Sequence, residues 1–113
     1  MIETIVREYL EEKTTVPVRL ERRPNMPDAC IIVEKTGSAY KEGIWGATIA
    51  IQSYGATLKD AALLNSQVIG WMLQIRDTDD RICDITLNSD YNHTDTGTKR
   101  YRYQAVFYIS YYN

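Results

Sequence analysis

The chain has a single histidine, His93, set between Asn92 and Thr94. A zinc site of the usual kind needs several His or Cys ligands. No second histidine exists, and neither Cys30 nor Cys83 is near His93 in the sequence. A Cys/His nucleophilic pair would need one of those thiols to reach the His93 loop. Both lie in apolar, strand-like surroundings, where a thiol packs as a small hydrophobe and stays reduced. The acidic run Asp77, Asp79, Asp80 and Asp84 suggests a cation site. A calcium loop starting at Asp77 would need glycine at its sixth position and glutamate at its twelfth, but Ile82 and Asn88 stand there. The run therefore reads as a solvated helix-to-strand turn. Gly43-Ile44-Trp45-Gly46 has neither the spacing of a dinucleotide loop nor the lysine of a P-loop, and there is no G-x-S-x-G elbow. No catalytic residue, metal ligand or cofactor is expected.

Two basic clusters remain: Arg22 with Arg23, and Lys99, Arg100 and Arg102 interleaved with Tyr101 and Tyr103. Arginine alternating with tyrosine could make a stacking platform for single-stranded nucleic acid. Strand alternation instead places the tyrosines opposite the arginines, where they pack on helices. The formal net charge is −2, from 13 basic and 15 acidic residues, with none of the basic excess of a dedicated nucleic-acid binder. Specific nucleic-acid binding is not expected. Five of the nine tyrosines are Tyr101, Tyr103, Tyr108, Tyr111 and Tyr112. Tyrosine suits strands, and it also suits surfaces that are wet in a monomer and dry in an assembly. The candidate contact residues are Arg22, Arg23, Tyr40, Trp71, Asp77, Asp79, Asp80, His93, Arg100 and Arg102.

The elements that must position these residues fit one domain over residues 1–113, with 44% hydrophobic and 25% charged residues. No unbroken apolar run exceeds five residues (29–33 is one), against about 20 for a membrane helix. The opening Met1-Ile2-Glu3-Thr4 has no basic stretch ahead of an apolar one, so no secretory leader is expected. Ile2, Ile5, Val6, Tyr9 and Leu10 form one helical stripe, which Thr14, Thr15 and Pro17 end. Residues 17–21 read as a short strand and 22–28 as an exposed loop with two prolines. Strands follow at 29–36 and 44–54, and the glycine-bracketed 37–43 stretch between them reads as a mobile loop.

Thr57 reads as the N-cap of a helix running to about Arg76, with Asp60 near the positive end of its dipole. Its apolar arc spans roughly 200°, more than one sheet face can cover. The first helix or a neighbouring subunit must meet the surplus. Cys83, Ile85, Leu87 and Tyr91 alternate with Asp84, Thr86, Asn88 and Asp90 in a half-buried strand. The polar 92–99 loop, also expected to be mobile, leads to a last strand over 100–112. The expected fold is a two-layer α+β domain in the order α-β-β-β-α-β-β. One mainly antiparallel or mixed sheet of about five strands carries two helices on one face.

Three stretches carry a family resemblance. The first is Pro17-Val18-Arg19-Leu20-Glu21 with the Pro24 and Pro27 loop, running into Cys30-Ile31-Ile32-Val33-Glu34-Lys35-Thr36-Gly37. The second is Ile49-Ala50-Ile51-Gln52-Ser53-Tyr54-Gly55, followed by Asp60-Ala61-Ala62. The third is Arg100-Tyr101-Arg102-Tyr103-Gln104-Ala105-Val106-Phe107. In this order and spacing the chain resembles the tail terminator (tail completion, minor tail) proteins of long-tailed phages and prophages. The resemblance implies a structural, non-enzymatic protein of the virion tail, assembled in the host cytoplasm. It implies a ring, typically a hexamer, that caps the head-proximal end of the tail tube and stops its growth. The implied partners are further copies of the chain, the tail tube protein and a head-completion or connector protein. No small-molecule substrate and no membrane are implied. The alternatives are a head-to-tail joining protein of the neck with the same fold, or a small enzyme or ligand-binding domain with its site near Tyr40 and Trp45.

Overall fold

The computed structural model describes residues 1–112. The first apolar stripe forms helix α1 (Ile2–Glu11), with Ile2, Val6 and Leu10 buried and Ile5 and Tyr9 packed beside them. After it the chain makes strand β1 (Val18–Arg19), only two residues long and parallel to the strand that follows. Pro17 lacks an N–H but its carbonyl accepts from Ile31 N at 2.8 Å, which anchors the β1 register.

Strands β2 (Cys30–Lys41) and β3 (Ile44–Gly55) pair antiparallel from Cys30 with Tyr54 out to Lys41 with Ile44. The expected loop over 37–43 is thus mostly strand, and only Glu42 and Gly43 turn. Both have positive φ, 52° and 86°, as the two-residue type I′ hairpin turn requires. Gly37, Ser38 and Ala39 are weak strand formers, so the local signal read as loop. Pairing with residues 44–48 overrides it.

Gly55 closes β3 where it meets the next helix. A Cβ there would lie 2.5 Å from Ala61 N, so only glycine allows this approach. Helix α2 (Leu58–Met72) starts at the expected cap: Asp60 N donates to Thr57 Oγ1 at 3.1 Å. It ends at Met72, and a 3₁₀ turn (Ile75–Asp77) then tucks Ile75 into the core.

Strands β4 (Ile82–Asn92) and β5 (Tyr101–Tyr111) complete a five-stranded sheet ordered β1-β2-β3-β5-β4. It is mixed, because β1 is parallel to β2 while the other pairs are antiparallel. Ile31, Val33, Ile49, Ile51, Phe107 and Ile109 face the core shared with Val6, Leu10, Val68 and Met72. Both helices cover that one face. The protein is a two-layer α+β domain in the order α-β-β-β-α-β-β.

The simple alternation expected for β4 does not hold. Its pairing with β5 shifts between Ile82 and Asp84 and again between Leu87 and Ser89. An extra residue reverses the phase of every side chain beyond it. The first shift brings both Ile82 and Ile85 into the core and leaves Cys83 half-buried. The second turns Asp90 to the helix side and Tyr91 to the open face, where the Gln104 side-chain amide donates to the Tyr91 hydroxyl.

Candidate functional site

The candidate contact residues do not converge on one site; the strands carry them to opposite ends of the sheet. At one end, the outer half of β2 forms an exposed sheet edge, the arm of the β2–β3 hairpin, while β3 beside it is paired with β5. Residues 34–41 are exposed without interruption, whereas 30–33 are buried. Strand β1 pairs only with Ile31 and Ile32, so it leaves the outer edge of β2 uncovered beyond them. Tyr40 is 59% exposed at the tip, its ring 4.9 Å from that of half-buried Trp45, with exposed Ile44 beside them. The molecule is correspondingly long, 44 × 25 × 23 Å.

The acidic turn lies toward this same end, because Ile82 pairs with Tyr111 and Tyr111 with Trp45. Asp77 and Asp80 are exposed. Asp79 is half-buried and tied up, accepting from Arg81 Nε at 3.0 Å and Arg81 Nη2 at 2.7 Å. Those bonds hold its carboxyl below the ordinary carboxylate range despite some burial. The expectation of three equivalent exposed aspartates is thus corrected to two.

Tyr54 organises the other end. Registration places Cys30, Tyr54 and Arg102 side by side on the face without helices. Arg22 lies 4.6 Å over the Tyr54 ring and donates through Nη1 to Cys30 Sγ at 3.0 Å. Arg102 sits 5.7 Å from the same ring, donating to the Tyr54 hydroxyl at 2.9 Å and to the His93 carbonyl at 2.7 Å. Two guanidiniums thus flank one aromatic ring. Arg22, expected to be exposed, is half-buried because Tyr54 offers its stem and charge a surface. Burial pushes the Cys30 thiol above its ordinary value, although Arg22 and Arg100 pull it down. His93 contributes its carbonyl, and its ring meets Tyr91 edge-on at 5.6 Å. Arg23 is exposed and paired with Glu21 at 3.3 Å. The 92–99 loop is internally braced: Asp95 Oδ1 accepts from Gly97 N at 2.9 Å, and Asp95 bridges to Arg100.

Trp71 belongs to the contact between the helices. It is half-buried against the core, and its carbonyl accepts from the Tyr9 hydroxyl at 2.6 Å. Helix α1 therefore covers part of the surplus apolar arc of α2. Leu58, Leu63 and Leu73 stay exposed, Leu63 by 55%. Sequence reasoning missed Tyr54 and Cys30 as partners of the arginines; the signal was the apolar residues at the even positions Cys30, Ile32 and Tyr54. They form a small second cluster on the outer face, beneath Met26.

Among the described residues, no group of three or more His, Cys, Asp or Glu side chains is placed to hold a metal ion. No described helix is long and apolar enough to cross a membrane. No protein-family model and no curated protein sequence matches the chain.

Proposed function

We propose that this protein is a non-catalytic structural subunit of a phage tail, a terminator whose ring caps the head-proximal end of the tail tube and receives the head connector. The observation that best supports the reading is the exposed outer half of β2, whose outer edge β1 leaves uncovered. Residues 34–41 of β2 are exposed, and Tyr40 and Ile44 stay exposed at the hairpin end, beside Trp45, which packs against the core. Exposed apolar tips of this kind suit a contact with another subunit.

The distribution of charge supports head-to-tail association. Asp77 and Asp80 stand toward the arm end and Arg22, Arg23 and Arg100 toward the other, separated by about 30 Å of strand. A ring closed by heterologous contacts needs two different complementary patches per subunit. The resemblance in the three stretches quoted above supports a place in the phage tail. Light scattering after size exclusion tests the association. Six copies of a 13.0 kDa chain give a species of about 78 kDa. A species held at dimer mass by a symmetric interface would overturn the head-to-tail arrangement.

A further inference from the structure

We propose that the cleft beside Tyr54, between Arg22 and the Lys99–Arg100 corner, is a binding site for a phosphate group. The cleft holds about 290 Å³, near the lower end of ligand-site volumes. Arg22, Lys99 and Arg100 line it, with Asp28 as the one carboxylate, Tyr54 and Tyr101 at its walls and the Gly55–Ala56 backbone among its lining. This inference goes beyond the ring reading and does not depend on it.

The cleft stands apart because its cations are unspent. Among the described residues, Arg22, Lys99 and Arg100 make no ion pair. Arg7, Arg19, Arg23, Arg76 and Arg81 each lie within 4 Å of a carboxylate, as in Arg7 with Glu11 at 2.6 Å and Arg81 with Asp79 at 2.7 Å, while Arg102 donates to Tyr54 and the His93 carbonyl instead. The roomier concavity beneath Pro17 and Leu20, about 650 Å³, is lined by Arg7, Arg19 and Arg23, of which Arg7 and Arg19 share Glu11 and Arg23 meets Glu21. The Tyr54 cleft brings together three cations that have no ion pair among the described residues.

Arg22 is also held in place before any ligand arrives. Its stack on Tyr54 and its bond to Cys30 Sγ fix the guanidinium, while its Nε is buried and has no hydrogen-bond partner among the described residues. Across the cleft, Lys99 is held at φ 56° next to the Asp95–Arg100 bridge. Three cations on two facing segments, Arg22 on one and the consecutive Lys99 and Arg100 on the other, suit a group that accepts from several directions. A phosphate does so with three oxygens and a charge of −1.5 to −2, whereas a carboxylate offers two oxygens in one plane. Such a site reads charge and shape and carries no base information.

The test is amide NMR titration of the full chain with inorganic phosphate, sodium acetate at matched ionic strength, and a short 5′-phosphorylated thymidine oligonucleotide. Phosphate should give saturable shifts centred on Gly55, Ala56, Thr98, Lys99 and Arg100. The double variant Lys99→Gln/Arg100→Gln, both exposed, should keep the wild-type melting temperature and bind phosphate at least 10-fold more weakly. Tighter binding of the oligonucleotide, with shifts at the same amides, would identify the source as a nucleic-acid strand. Equal binding would identify a free phosphate or small ester, and either result supports the site. Absence of saturable shifts, shifts centred elsewhere, acetate acting as well as phosphate, or undiminished binding by the folded double variant would each overturn it.

Discussion

Asn65 on α2 donates a 2.6 Å hydrogen bond through Nδ2 to Asp90 Oδ1 on β4. The contact exists because β4 changes phase between Leu87 and Ser89, which turns Asp90 toward the helix. Asn65 is buried and its Oδ1 has no partner, while Asp90 is exposed and can turn to water. Replacing Asn65 by an apolar residue removes the unpartnered buried oxygen, and Asp90, being exposed, is left in water rather than stranded. Asn65→Leu should therefore raise the melting temperature by about 2–6 °C. A fall of that size would show that the bond to Asp90 outweighs the unpartnered oxygen.

The acidic turn should reveal itself through pH. Arg81 holds the Asp79 carboxyl below its ordinary value of 3.8 in the folded state. A depressed folded value means that the contribution is complete above the unfolded value and is lost as pH falls through the folded one. Asp79→Asn should thus lower the melting temperature by about 1–4 °C at pH 7, the range of an exposed pair, and by progressively less as pH falls below 3.8. Thermal scans across that window decide; an equal deficit at both ends would mean that Asp79 acts through packing.

Tyr40 and Ile44 at the arm tip are exposed. Tyr40→Ser with Ile44→Ser should change stability by no more than about 1 kcal/mol. The same double variant should weaken self-association at least tenfold in sedimentation velocity. Wild-type association by the folded variant would remove the arm from the interface.

The pattern of charge at the two ends gives a reciprocal test. Arg23→Glu should slow association, because rim charges act mainly on encounter and register. Asp77→Lys with Asp80→Lys should restore it by recreating the opposite pairing. Arg23 is chosen over Arg22 because its guanidinium meets only Glu21, whereas Arg22 is built into the Tyr54 cluster. Stopped-flow association rates that ignore both reversals would reduce these charges to ordinary solvated loops.

Much of the architecture was legible from local pattern. The Ile2, Val6 and Leu10 stripe, the period-two run through Ala47, Ile49 and Ile51, and the Thr57 cap each appear as read. What stayed hidden depends on partners distant in sequence. Residues 37–41 are strand because residues 44–48 pair with them, against the weak propensity of Gly37, Ser38 and Ala39. Tyr91 faces outward because the shift between Leu87 and Ser89 resets β4, and no composition signal marks where a bulge falls. Arg22 looked like a solvated loop charge until β3 brought Tyr54 beneath it. The scatter of the candidate residues across two ends of the sheet follows from strand directions that only the register defines.

The most direct test of the ring-capping proposal is electron microscopy of the protein mixed with polymerising tail tube protein from the same phage or prophage. Rings seated at one end of each tube, with tubes that stop growing once capped, are the expected result. Tubes that elongate without limit and carry no density at either end, with the protein monomeric throughout, would contradict it.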